Sequence, residues 1–262
     1  MKSQFQVRTI PSSRIATFDV FSVGLKKHHV SALIEFDVTD TRKRIKELKK
    51  QGEKISLNAW ILKAITKALE QHPAAASFLS GKKKLITFDN ISISLLVEKE
   101  KEGQKVPLPV VIEKTNRKTA FEITKEINAA KNKLLSPDDI ILNKSLKKYE
   151  YLYYHLPRFL RLTIWKYILQ NPKLAYRKMG NVAVSSLGMI GKLNGWFIHK
   201  SIHPISFGLG AIVKKPVVIN DEIKIREILN VTVLIDHDVT DGAPMVRFLK
   251  KLTEIVESGE IE

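Results

Sequence analysis

Near its C-terminus the chain changes period, and that change limits the folds open to it. In IKIREILNVTVLIDHD (Ile223 to Asp238) apolar residues alternate, with Val231, Val233, Ile235 and His237 on one face, the spacing of a β-strand. From Ala243 the spacing turns helical: Val246, Leu249, Leu252, Ile255 and Val256 form one stripe, and Gly259 follows as a stop. A strand running straight into an amphipathic helix calls for a mixed α/β domain. His237 is then expected to project from the strand's end on the apolar face, and Asp241 falls where a helix N-cap would be. Each has a plain structural explanation, a half-buried strand-end histidine and a capping aspartate, as well as a chemical one.

The rest of the chain has the same mixed pattern. HHVSALIEFDVT (His28 to Thr39) is β-branched and aromatic enough for a strand, and TDTRKRIKELKKQGE reads as a basic helix ending near Gly52. In SLNAWILKAITKALEQHP, Leu57, Trp60, Ile61, Ala64, Ile65, Ala68 and Leu69 recur at helical spacing, with Ser56 as N-cap and Pro73 as stop. KLITFDNISISLLVEKEKEGQKVPLPVVIEKT reads as short strands joined by a charged hairpin tip around Gly103, and TAFEITKEINAAKNKLL as another amphipathic helix. Three further strands are expected within Gly180–Gly191, His203–Asn220 and Ile223–Asp238, the second interrupted near Gly208 and Gly210.

Composition narrows the chemistry. With no cysteine among 262 residues, disulfides, thiolate metal sites and a cysteine nucleophile are excluded, so thiol chemistry needs a thiol brought by the substrate. The seven histidines are scattered, without helical ligand spacing, and no metal site is expected. A hydrophobic content of 44% can fill a core, and the absence of a signal segment or a membrane-length apolar run points to a cytoplasmic protein without a transmembrane segment. The formal charge of +17 implies attraction to anions, but the lysines are interspersed with acids and no nucleic-acid-binding signature is present, so nucleic acid is not the expected partner. A phosphate-rich cofactor or an acidic partner domain fits the charge. The aromatic, basic stretch YEYLYYHLPRFLRLTIWKYILQNP (Tyr149 to Pro172) is broken by Pro157 and carries Arg158, Arg161 and Lys166. It is expected to pack on its own domain or on a neighbouring subunit, the alternative being a helix lying on a membrane surface or against a partner.

DHDVTDGAPMVRFLKKL resembles the D-H-R-x-x-D-G-A signature that ends the catalytic domain of the dihydrolipoyl acyltransferases of 2-oxo acid dehydrogenase complexes, a family that shares its fold with chloramphenicol acetyltransferase. EKISLNAWILKAITKALEQHP, FDNISISLLVEKEKEGQKVPLPVVIEKT, VAVSSLGMIG and LGAIVKKPVV are similar to the family's other blocks, in the family's order, over roughly Ile10 to Gly259. The resemblance implies one acyltransferase domain over residues 1–262, a two-layer α/β fold with a mixed sheet covered by helices. It also implies acyl transfer between coenzyme A and a thiol, such as a dihydrolipoyl group supplied by another chain, or another small acceptor. His237 takes the part of general base: a neutral imidazole with pKa about 6.5 can deprotonate a thiol with pKa about 8.5 near neutral pH. Ser185, first serine of the S-S-L-G element, takes the part of oxyanion donor, and Asp241 organises the loop and the base, with Arg14 as a possible partner. The resemblance further implies a homotrimer, or a cage built from trimers, with base and serine contributed by different subunits.

Three departures from the family pattern stand out. No lipoyl or subunit-binding domain is expected ahead of the catalytic blocks, so a lipoyl group is expected to come from a separate, acidic lipoyl-bearing protein. Asp238 stands where the family has arginine, reversing a charge beside the base, which would alter local pairing or raise the pKa of His237. The basic aromatic segment at about 144–179 reads as an insertion or replacement. An alternative function is a catalytically idle trimeric scaffold or assembly subunit of a dehydrogenase-like complex, since fold alone does not secure activity.

Overall fold

A computed structural model of the chain describes residues 6–7, 13–101, 104–132, 152–186 and 194–260. Its helices are α1 (Ser13–Gly24), α2 (Thr39–Lys50), α3 (Leu57–Gln71), α4 (Ala120–Asn132), α5 (Arg158–Gln170), α6 (Pro172–Met179) and α7 (Gly242–Ser258). The strands are β1 (His29–Asp37), β2 (Phe78–Ser80), β3 (Lys84–Ile86), β4 (Ile93–Lys101), β5 (Gln104–Ile112), β6 (Val182–Ser186), β7 (Ile205–Ile219) and β8 (Glu222–Asp236). Six strands form a mixed sheet in the order β1-β8-β7-β6-β4-β5, parallel at β4/β6 and β6/β7 and antiparallel elsewhere, while β2 and β3 pair separately. The mixed α/β reading therefore holds.

The local chemistry is as the sequence dictates. Ser56 accepts a hydrogen bond from the Ala59 amide at 3.2 Å and starts α3 as its N-cap, and the helix ends at Gln71 before Pro73. Alternate residues of the central strands, Val182 and Val184, Ile205 and Phe207, Val231, Val233 and Ile235, face α3, α4 and α7 in one continuous core. β7 is not interrupted at Gly208 and Gly210 as expected; it runs through them and absorbs the irregularity as a register shift between Leu209 and Ile212. On α7 the buried stripe is Met245, Phe248, Leu252 and Val256, and Val246, expected in the stripe, is 65% exposed. Phe248 explains the rotation, since its ring meets Phe207 of β7 and His72 at the end of α3, centroids 6.4 and 6.2 Å apart.

The sheet's other face is also covered, so Asn230, Thr232 and Asp236 of β8 are fully buried despite being polar. The segment 194–204 crosses it: Trp196 Nε1–H donates to the Ile34 carbonyl at 3.1 Å, and His199 Nε2 lies 2.9 Å from Ser206 Oγ. Gly208 is required here, because a Cβ at that position would come within 2.9 Å of the His199 ring.

A second, smaller core joins α1, α5 and α6 to β2, with Phe78, Trp165, Ala175, Met179 and Ile202 buried and Phe88 stacked on Tyr176 at 4.0 Å. The buried Asp19 of α1 accepts from Tyr153 O–H and Arg161 Nε–H, both at 2.7 Å. The aromatic segment thus breaks at Pro157 and packs on its own domain through Trp165, as expected, while Phe159 and Tyr167 remain exposed. Its residues 149–151 and the hairpin tip at Gly103 lie outside the described residues. No described helix is long and apolar enough to cross a membrane.

Candidate functional site

β8 ends at Asp236, so His237 is the first residue of the following turn rather than the last of the strand, and it is exposed. Its backbone N–H donates to the His28 carbonyl at 3.0 Å, because the antiparallel β1/β8 register, which pairs His29 with Asp236, sets residue 28 opposite residue 237. The flanking carboxylates are both engaged. Asp236 Oδ2 accepts from Lys27 Nζ at 2.5 Å, and Asp238 lies 3.0 and 3.1 Å from His28 Nδ1 through its two oxygens. The charge reversal at position 238 is therefore answered by His28, whose pKa is raised chiefly by its hydrogen bond to Asp238.

Asp241 occupies the N-cap position of α7, with extended backbone, but its side chain makes no capping hydrogen bond. Arg14, on α1, has its guanidinium 6.0 Å from the Phe18 ring centroid, and among the described residues it forms no ion pair with Asp241. The remaining histidines at this end serve the fold. His203 is buried with its pKa pushed down to about 4, and burial also lowers His29 and His199, so these rings are neutral near pH 7.

Ser185 is half-buried near the end of β6. Its strand partner is Gly208, whose partner in turn is Thr232 of β8, so Ser185 lies two strands across and five residues along from His237. That is roughly 17 Å along the sheet and about 10 Å across it. One chain does not bring the two together. Strand alternation also sets Ser185 on the face away from the helices, whereas Ser186 lines a cleft of about 940 Å³ between the sheet and α3 and α4. That cleft carries the cations Arg42, Lys131 and Lys214, of which Arg42 is paired with Glu227 at 2.7 Å. Residues 187–193, which continue the S-S-L-G element, lie outside the described residues.

Sequence reasoning missed Lys27, His28 and the role of Asp236. The only available signal was the run Lys26-Lys27-His28-His29 before β1, which acquires meaning once β1 is paired with β8.

The sheet and its helix layer define an acyltransferase fold. The solved structure of a probable dihydrolipoamide acetyltransferase from Listeria monocytogenes superposes with a TM-score of 0.70 at 23% identity, covering 97% of this chain and 95% of that one. Chloramphenicol acetyltransferase gives 0.52 at 13% identity, covering 98% and 100%. A third structure, of Azotobacter vinelandii dihydrolipoamide acetyltransferase, from work on a serine, a histidine and an asparagine in its catalytic mechanism, gives 0.67 at 19% identity, covering 96% and 92%.

The chain belongs to the 2-oxoacid dehydrogenases acyltransferase (catalytic domain) family, which it matches over residues 13–140 and 170–261. The match leaves out residues 141–169, which overlap the basic aromatic segment. Among curated relatives, the dihydrolipoyllysine-residue acetyltransferase component of the pyruvate dehydrogenase complex of Rickettsia conorii is 28% identical over 213 residues, 79% of this chain but 41% of that protein. The chain thus spans less than half the length of that relative.

Proposed function

We propose that this chain is an acyltransferase that passes an acyl group between coenzyme A and a thiol, a dihydrolipoyl group supplied by another chain being the first acceptor to test. The observation that carries the reading is the family match, which runs through Ser185, His237 and Asp241 together. A further support is spacing. In the Azotobacter enzyme the serine–histidine and histidine–asparagine separations equal those from Ser185 to His237 and from His237 to Asp241.

In this mechanism His237, exposed at the end of β8, removes the proton from the acceptor thiol. The thiolate attacks the thioester carbonyl, and Ser185 Oγ–H donates to the oxyanion of the tetrahedral intermediate. Collapse expels the coenzyme A thiolate, which takes up the proton from His237, so no acyl-enzyme forms. Asp241, free of capping duty, is available to steady the loop or the imidazolium. Lys131 and Lys214 offer positive charge suited to coenzyme A phosphates.

The separation of Ser185 and His237 within one chain fits a trimer, or a cage of trimers, in which the histidine of one subunit works with the serine of the next. A structure in the same fold group is named as the cubic core of a pyruvate dehydrogenase multienzyme complex. The test is release of coenzyme A from acetyl-coenzyme A with dihydrolipoamide as acceptor, compared with alcohols and amines. Turnover that disappears in His237→Ala supports the reading; absence of turnover with every acyl donor and acceptor would leave an assembly role instead.

A further inference from the structure

The turn that carries His237 is held from the segment before β1. Lys27 and His28 between them contact three successive residues: Lys27 Nζ meets Asp236 Oδ2 at 2.5 Å, the His28 carbonyl accepts from His237 N–H at 3.0 Å, and His28 Nδ1 meets Asp238 at 3.0 Å. Asp236 directs its other groups into the same turn. Its Oδ1 accepts from Asp238 N–H at 3.3 Å, and its carbonyl accepts from Val239 N–H at 3.0 Å and Thr240 N–H at 3.2 Å. Because Asp236 is fully buried, an ionised carboxylate there needs a partner, and Lys27 supplies it.

We propose that Lys27 and His28 are positioning residues for acyl transfer, a two-point clasp that fixes the backbone beneath His237 without touching the reacting atoms. The inference rests on His237 being the base. It explains why Asp241 need not hold that turn, and it assigns work to two residues outside the C-terminal motif. A thiol must meet the imidazole at hydrogen-bond distance, and small displacements of a catalytic group are costly in rate.

The two points of the clasp respond differently to pH. The groups acting on His28 are Asp238 and Asp236, which favour its cation, and Lys27, which opposes it; hydrogen bonding to Asp238 is the largest influence and raises its pKa above 6.5. The His28–Asp238 ion pair is accordingly complete below the ordinary imidazole value and is lost as pH rises through the raised one.

The experiment measures kcat and KM with acetyl-coenzyme A and dihydrolipoamide across about pH 6 to 9 for the full chain. His28→Gln is expected to lower kcat about three- to tenfold at the acid end with KM little changed, and to converge on wild type as pH rises. His28→Lys, which keeps a cation throughout, is expected to retain the acid-end rate. The double change Lys27→Met with Asp236→Asn leaves no unpaired buried charge and is expected to lower kcat by a similar factor at every pH. Wild-type kcat in His28→Gln and in the double variant, a His28→Gln deficit that is flat with pH, or a change confined to KM would each overturn the clasp. His237→Ala run in parallel separates the two ideas: if it stays active the base assignment falls, and if it is inactive while the clasp variants match wild type, only the clasp falls.

Discussion

His237 and Ser185 stand on the same sheet and are supported in opposite ways. His237 is exposed on a turn that is tied by an ion pair, a backbone hydrogen bond and a histidine–carboxylate contact to a segment some two hundred residues earlier in the chain. Ser185 sits inside β6, held by strand pairing to Gly208 on a face that polar buried residues share. His237 is thus placed by side chains and charge, and Ser185 by backbone register. Substitutions at His28 should therefore act in a pH-dependent way, while substitutions near Ser185 should act through packing.

The largest expected effects break the proposed pair itself. His237→Ala should lower kcat by about 10²–10⁴, the range for a general base, and Ser185→Ala by about 10²–10³, the range for one oxyanion donor. A few-fold loss in Ser185→Ala would remove that serine from the mechanism. The sharper version is complementation. If each site takes its histidine from one subunit and its serine from another, co-expressing the two inactive variants should assemble mixed oligomers with about a quarter of wild-type activity, since that fraction of interfaces pairs two intact residues. No recovery in oligomers shown by mass to be mixed would overturn the pairing of His237 with Ser185 across subunits.

Next in size is the buried charge beside His237. Lys27→Met leaves the Asp236 carboxylate without its partner, and breaking a buried pair from one side costs about 3 kcal/mol or more. Chemical denaturation should show the loss as a lower midpoint at unchanged slope. Removing both partners in Lys27→Met with Asp236→Asn should recover most of it. If Lys27→Met alone is neutral, water rather than Lys27 satisfies Asp236.

On the serine side the corresponding lesion is steric. In Gly208→Ala the added methyl lies within 2.9 Å of the His199 ring, so the segment 194–204 must shift, at about 1–3 kcal/mol for an overpacked position. The cost should not vary with pH between about 7 and 9, because burial lowers the His199 pKa and the ring is neutral throughout that range. A pH-dependent cost there would mean that this face too is organised by charge.

The contrast also explains what could be read from the sequence. β8 and α7 were legible because each carries its own period, and α3 because Ser56 and Pro73 mark its ends. The stripe on α7 was misjudged at Val246 because two neighbouring stripes share Leu252 and Val256, and only contact with Phe207 and His72 selects the one through Phe248. The glycines of β7 suggested a break, but they are places where another segment presses on the strand. His237, Ser185 and Asp241 could be nominated because they sit in local motifs. Lys27 and His28 could not, since their partners Asp236 and Asp238 become neighbours only through β1/β8 pairing.

The smallest expected change concerns Asp241, and it separates the two explanations of that residue most cleanly. An N-cap aspartate replaced by alanine costs about 1 kcal/mol because it leaves a helix amide unsatisfied. Here the Asp241 side chain makes no such bond and the residue is exposed, so Asp241→Ala should shift stability by no more than about 0.5 kcal/mol. On the proposed mechanism turnover should nonetheless fall, because Asp241 is there assigned to steady the imidazolium that forms as the thiol is deprotonated. Loss of stability with full activity would return Asp241 to a capping role. Loss of activity at unchanged stability is what a residue kept for the chemistry of a neighbouring subunit's thioester would show, and in the complementation assay the change should then be tolerated on the chain that supplies the serine but not on the chain that supplies the histidine.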